Sequence, residues 1–121
     1  MTEGESPKRY DLEERTFVFA QRVRSLVKRL PRVDANVIDG RQLIRASGSV
    51  GANYIEANEA LSKKDFVVRV KISRKESKEC RWFPRLLDTC GDTTLDAARE
   101  ELVQEASELT SIFGAIIRKS E

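Results

Sequence analysis

A run of small residues on a helical repeat most constrains how this chain can fold. Apolar residues in the segment 43–60 recur every three or four positions, and many of the residues between them are Gly, Ala or Ser. This spacing places an apolar stripe along one side of an α-helix. Gly48 and Gly51 lie inside the pattern, and each costs roughly 1 kcal/mol of helix propensity relative to Ala. We therefore expect close packing against a neighbouring helix to offset this cost.

A phosphate-binding glycine loop is the alternative interpretation of the same segment. Such a loop requires a preceding strand, with its glycines at the start of a helix. Here the two glycines follow Leu43 and Ile44 in the middle of the apolar pattern. The spacing therefore favours a helix over a phosphate loop.

Start and stop signals divide the chain into four helices. Asp11 and Glu14 resemble a capping box, and an apolar repeat follows until Pro31. Residues 32–40 are predicted to be a connector before a second helix over residues 41–60. Ser62 and Asp65 signal a restart, and a third helix is predicted from Phe66. A fourth helix is expected after the turn at residues 90–92, with Thr93 or Thr94 as its N-cap.

Small residues also lie in the middle of the third helix. Its seam alternates steps of four and three, through Phe66, Val70, Ser73, Ser77, Cys80, Pro84 and Leu87. We expect Ser73, Ser77 and Cys80 to pack against the glycine face of the second helix, which carries Gly48 and Gly51. Pro84 predicts a kink after Trp82, because its ring crowds the carbonyl of Cys80. Tyr54, Trp82 and Phe83 are expected to anchor the core or an interface.

These segments predict an all-α fold, an antiparallel up-down four-helix bundle. The 121 residues suit one domain, with 40% hydrophobic and 35% charged residues. Residues 1–9 are expected to form a flexible N-terminal arm, and residues 10–119 the bundle. No apolar run is long enough to span a bilayer, and the polar start does not resemble a secretory signal. We therefore expect a cytoplasmic protein.

The composition argues against most catalytic and metal chemistry. The chain has no histidine, which removes the commonest general base and metal ligand. Glu56, Glu59 and Asp65 invite a di-iron interpretation, but the Glu-x-x-His motif is missing. Cys80 and Cys90 are expected to be reduced thiols, with Cys80 in the core and a redox pair as the alternative. We expect no catalytic residue, metal or cofactor, and no small-molecule substrate.

The small net charge of +2 conceals basic first and third helices and an acidic fourth helix. Helical spacing aligns the basic residues in two rows. The predicted nucleic-acid-binding residues are Arg15, Arg22 and Arg29 on the first helix, and Lys71, Arg74, Lys78 and Arg81, continued by Arg85, on the third. A solvated charged face is the alternative, because Glu14, Glu76 and Glu79 lie close in sequence.

Two blocks and the start of the first helix carry a family resemblance. These are Asp11-Leu12 with Phe17, the segment QLIRASGSVGANYIEA at 42–57, and the segment KISRKESKE at 71–79. Over residues 10–117 the chain resembles the small four-helix bundle proteins encoded by intervening sequences of bacterial 23S ribosomal RNA genes. The resemblance implies a bundle that assembles into a homo-oligomeric ring of five. A related branch serves as the accessory subunit of diversity-generating retroelements, which contacts nucleic acid and reverse transcriptase.

Together these features predict a non-enzymatic, oligomeric scaffold that binds RNA or DNA through phosphates rather than bases. The alternative is a protein-interaction scaffold without nucleic-acid binding. In that case the basic helices would dock the acidic fourth helix of a neighbour, or another acidic partner. The partners predicted from sequence are therefore further copies of the chain, RNA or DNA, and a reverse transcriptase.

Overall fold

Four α-helices make up the fold in the computed structural model, which describes residues 11–121. They are α1 (Leu12–Arg29), α2 (Asp34–Asn58), α3 (Lys63–Leu86) and α4 (Thr93–Ser120). No strand occurs between residues 11 and 121, and none of these helices is long and apolar enough to cross a membrane. The all-α prediction is confirmed, and the predicted arm at residues 1–9 lies outside the described residues.

Side-chain caps fix three of the four helix starts. The carboxylate of Asp11 accepts from the backbone N–H of Glu13, and the hydroxyl of Ser62 accepts from that of Asp65. Asp92, rather than Thr93 or Thr94, caps α4 by accepting from two backbone N–H groups. Each cap satisfies amide groups that have no partner within the helix.

The second helix begins at Asp34, so the predicted connector over residues 32–40 is wrong from that residue onwards. The buried Asn36 side chain explains the difference, because it donates to the carbonyls of Pro31 and Asp88 at 2.9 and 2.8 Å. It also accepts from the N–H of Asp88 at 2.8 Å. Gly40 is a close-approach position, since a Cβ there would lie 3.1 Å from Cγ1 of Val27.

The glycine face of α2 packs against α1, so the predicted packing against Ser73, Ser77 and Cys80 is wrong. A Cβ on Gly51 would lie 2.8 Å from Oγ1 of Thr16, and one on Gly48 would lie 3.4 Å from the Arg24 guanidinium. The close approach to α3 is made elsewhere on the helix, where Ser73 donates to the carbonyl of Val50 at 2.9 Å.

Contacts between helix ends give the antiparallel up-down order. Each helix packs against the next, and α1 also packs against α4. Asn58 at the end of α2 donates to Glu13 at the start of α1. Arg29 at the end of α1 donates to Thr94 at the start of α4. Short connectors joining antiparallel neighbours are typical of such bundles.

One core runs through the bundle. Phe19, Leu43 and Phe113 are among its fully buried side chains, and the ring of Tyr54 lies 5.8 Å from that of Phe113. Helix α3 continues through the buried Pro84 to Leu86. The helix ends where the N–H of Leu87 bonds to the carbonyl of Pro84.

Candidate nucleic-acid interface

The basic row of α3 lies on the surface of the bundle. We define this row as Lys71, Arg74, Lys78, Arg81 and Arg85. Arg81 is half-buried and the other four are exposed. Within residues 11–121, the only side-chain hydrogen bond or ion pair of the row is a 3.4 Å pair between Lys71 and Glu121.

Arg45 of α2 pairs with two acidic residues of α3, Glu76 and Glu79. Its guanidinium lies 3.4 Å from the carboxylate of the buried Glu76 and 2.7 Å from that of Glu79. These two carboxylates are the ones expected from sequence to weaken the field of the row. The single positive charge of Arg45 offsets part of these two negative charges, and among residues 11–121 neither carboxylate forms an ion pair with a row residue.

An exposed tryptophan lies beside the row. Trp82 is 55% exposed and follows Lys78 by one helical turn. It borders an open groove of about 600 Å³, lined by Lys71, Arg74, Lys75, Lys78, Glu79, Trp82 and Phe83. Phe83 packs against the core as predicted, whereas Trp82 is a surface residue in the single chain. Aromatic rings among cations are typical of surfaces on which nucleic-acid bases stack.

The basic row of α1 faces the acidic helix of its own chain. Arg15 binds both carboxylate oxygens of Glu105, at 2.7 and 2.8 Å, and reaches Glu108 at 2.8 Å. Arg22 lies 3.2 Å from Glu101, and Arg29 donates to the Thr94 hydroxyl. The α1 arginines thus share one helix face, on which Arg15 and Arg22 pair with carboxylates of α4 and Arg29 bonds to a hydroxyl.

The pKa shifts agree with this pairing. The hydrogen bond to Glu105 is the main reason that the pKa of Arg15 lies above its usual value. Hydrogen bonds from Gln104 and then from Arg15 lower the pKa of the Glu108 carboxyl. Both shifts favour the charged forms, as expected for an ion pair.

A second concave site, the α3–α4 cleft, lies at one end of the row. Its volume is about 450 Å³ and its lining is Lys71, Arg74, Gly114, Ile117, Arg118 and Glu121. Sequence periodicity did not identify Arg118, Lys75 or Trp82 as site residues. The sequence feature that could indicate the cleft is Gly114, a glycine inside the apolar stripe of α4.

The cysteines do not form a redox pair in the structure. Cys80 is buried, as predicted, and Cys90 is exposed, with both thiols free. Burial raises the pKa of Cys80 far above its usual value, so this thiol stays protonated near neutral pH. Within residues 11–121, no three His, Cys, Asp or Glu side chains come together as metal ligands.

The fold and the surface charge define a small all-α bundle whose basic row on α3 forms a single ion pair among residues 11–121. The chain belongs to the 23S rRNA-intervening sequence protein family, whose profile matches residues 8–115. This confirms the resemblance read from the sequence blocks. No curated protein matches the chain significantly.

A similar solved structure is that of a protein of unknown function from Bacteroides thetaiotaomicron, described as a member of the S23 ribosomal protein family. The two chains are 26% identical, and the TM-score is 0.76. The similarity covers 88% of this chain and 98% of the other. It therefore supports the four-helix fold over almost the whole described chain.

Proposed function

We propose that this protein is a non-enzymatic, cytoplasmic RNA-binding accessory protein whose α3 row contacts phosphates. The observation that carries the proposal is the charge arrangement on α3. Arg45 holds Glu76 and Glu79, while Arg74, Lys78 and Arg81 have no carboxylate within ion-pair distance among residues 11–121. Cations without acidic partners contribute most to the free energy of binding a polyanion, because no existing ion pair is lost on binding.

The geometry of the row suits several phosphates in succession. Lys71 and Arg85 are fourteen positions apart, which on a helix corresponds to about 21 Å. Side chains on an exposed helix face can contact the phosphates of a nucleic acid without reaching its base edges, so recognition would be independent of base sequence. Binding of this kind weakens steeply with salt, because each phosphate contact releases counterions.

Reversal of two row charges tests the proposal. We expect Lys78→Glu with Arg81→Glu to weaken binding of a labelled single-stranded RNA at least tenfold in fluorescence anisotropy. The matched control reverses Arg32 and Arg41, which are exposed and lie outside the row. Equal losses in both double variants would show that only net charge matters, and an unchanged affinity in the first would remove the row from the interface.

The α1 arginines contribute less under this proposal. Arg15 would have to release Glu105 before it could bind a phosphate, and Arg22 would have to release Glu101, which lies 3.2 Å away. We therefore expect Arg22→Gln to change RNA affinity less than Arg74→Gln does. The same anisotropy titration measures both variants.

We also propose that protomers assemble into a homo-oligomeric ring of five, as the family resemblance implies. An apolar groove between α1 and α2 supports self-association, because Phe17 and Ile55 on its walls are 55% and 48% exposed. A ring would multiply modest basic faces and raise affinity through effective concentration. Sedimentation equilibrium tests the assembly, and a monomer at all accessible concentrations would overturn it.

The same groove favours the second candidate function, a protein-interaction scaffold. Its lining includes the small residues Ala20, Gly48 and Ala52, beside which a partner helix could approach closely. A reverse transcriptase is one such partner implied by the related family branch. Absence of RNA binding at low salt would favour this candidate over the first.

A further inference from the structure

Two arginines from different helices converge over a glycine in the α3–α4 cleft. A Cβ on Gly114 would lie 3.4 Å from Nε of Arg74 and 3.4 Å from Nη1 of Arg118. The two nitrogens are therefore separated by at most twice that distance. Nitrogens within this distance of each other could both donate to one phosphate, with hydrogen bonds of about 2.8 Å.

The guanidinium groups in the cleft have no competing partner among residues 11–121. Neither the Arg74 nor the Arg118 guanidinium donates a hydrogen bond or joins an ion pair there, whereas the Arg99 guanidinium donates to the carbonyl of Leu87 at 2.8 Å. Lys71 adds a third cation, held only by its 3.4 Å pair with Glu121, in which both side chains are 56% exposed. Such an exposed pair contributes little free energy, so an incoming anion can displace Glu121.

The helix dipole explains only part of this arrangement. Arg118 lies in the last turn of α4, where a cation interacts favourably with the partial negative charge of the terminus. Lys71 and Arg74 come from α3, and within residues 11–121 they donate to none of the last carbonyls of α4. Gly114 also costs helix propensity, and its missing side chain leaves space between the two guanidinium groups.

We propose that the α3–α4 cleft binds a dianionic phosphate monoester, namely the terminal phosphate of an RNA strand. The inference rests on the proposed RNA binding and deepens it. Lys71 and Arg74 line both the cleft and the groove beside Trp82. A strand that follows the row therefore runs into the cleft, where three cations suit the doubly charged terminal group better than a diester.

The test compares three forms of one short single-stranded RNA, with a 5′-phosphate, with a 3′-phosphate, or with hydroxyls at both ends. We expect one phosphorylated form to bind roughly tenfold more tightly than the hydroxyl form. Arg118→Gln should abolish this preference and leave the affinity for the hydroxyl form almost unchanged, because Arg118 lies outside the row. Lys119→Gln is the matched control, since it removes a neighbouring exposed charge that does not line the cleft.

Equal affinity for all three RNAs would overturn the cleft proposal and leave RNA binding by the row intact. If no RNA binds, the proposed function fails, and adenosine 5′-monophosphate then tests the cleft by itself. A shift of the Gly114 amide resonance that disappears in Arg118→Gln would support a phosphate monoester site that takes a free nucleotide. Absence of any such shift would overturn the site.

Discussion

Replacement of Gly51 by Ala tests the packing of α2 against α1. The new methyl group would lie 2.8 Å from Oγ1 and 3.3 Å from Cβ of Thr16. Thr16 is 1% exposed, and its hydroxyl shares its one proton between the carbonyls of Leu12 and Glu13, each 2.9 Å away. The side chain is therefore fixed and cannot move aside without losing these bonds.

Two opposing free energies set the size of the effect. Ala gains up to about 1 kcal/mol over Gly in helix propensity, while overpacking of a closely packed contact costs about 1–3 kcal/mol. We expect Gly51→Ala to lower the free energy of unfolding by about 1 kcal/mol, which corresponds to a fall of roughly 4 °C in Tm. Urea denaturation followed by circular dichroism, at one fixed protein concentration, measures the change.

Gly48→Ala is the matched control in the same helix. Its methyl group would meet only the flexible end of Arg24, at 3.4 Å, so we expect equal or greater stability than that of the unsubstituted protein. In a Thr16→Ala background, the cost of Gly51→Ala should shrink, because the 2.8 Å contact is gone. If the Gly51→Ala and Gly48→Ala variants have the same free energy of unfolding, the argument that Gly51 packs closely against Thr16 is refuted.

Three further predictions concern the site and the connectors. Trp82 is the single tryptophan of the chain, so binding of single-stranded RNA should quench the protein's tryptophan fluorescence. Trp82→Ala should weaken RNA binding by about 1–3 kcal/mol. An unchanged fluorescence spectrum on addition of RNA would place the RNA elsewhere. Arg15→Gln should raise the lowered pKa of Glu108 part of the way back, since Gln104 also lowers it. The stabilisation from this pairing is present above the unfolded pKa of Glu108 and is lost as pH falls through its folded pKa; urea melts over that range and carboxyl NMR check both effects. Asn36→Ala should cost about 2–3 kcal/mol of unfolding free energy, because buried backbone groups lose their partners, and a loss below 0.5 kcal/mol in urea would contradict this role.

Helix number and type were predictable because they depend on local signals. Asp11 and Ser62 cap helices at the positions where the sequence indicates starts. The start of α2 was missed because the hydrogen bonds of Asn36 reach Pro31 and Asp88. A bond across 52 positions leaves no local pattern, so the sequence alone predicts a connector that includes Gly40.

The basic rows show the same limit at the site. Periodicity placed Arg15 and Arg74 on helix faces equally well, but it could not say which neighbour each face meets. In the fold, Arg15 of α1 pairs with Glu105 of α4. On α3, Glu76 and Glu79 pair with Arg45 of α2. Which basic residues form ion pairs within residues 11–121 is therefore a tertiary property, as is the convergence of Arg118 on the cleft.

The most direct test of RNA binding by the α3 row is the salt dependence of affinity. Anisotropy titrations of a labelled single-stranded RNA over a series of salt concentrations give the slope of log affinity against log salt. For single strands, each phosphate contact contributes about 0.7 to this slope. If Lys78 and Arg81 each contact a phosphate, replacing both with Gln should reduce the slope by about 1.4. An unchanged slope, or no binding by the unsubstituted protein at low salt, would contradict phosphate recognition by the row.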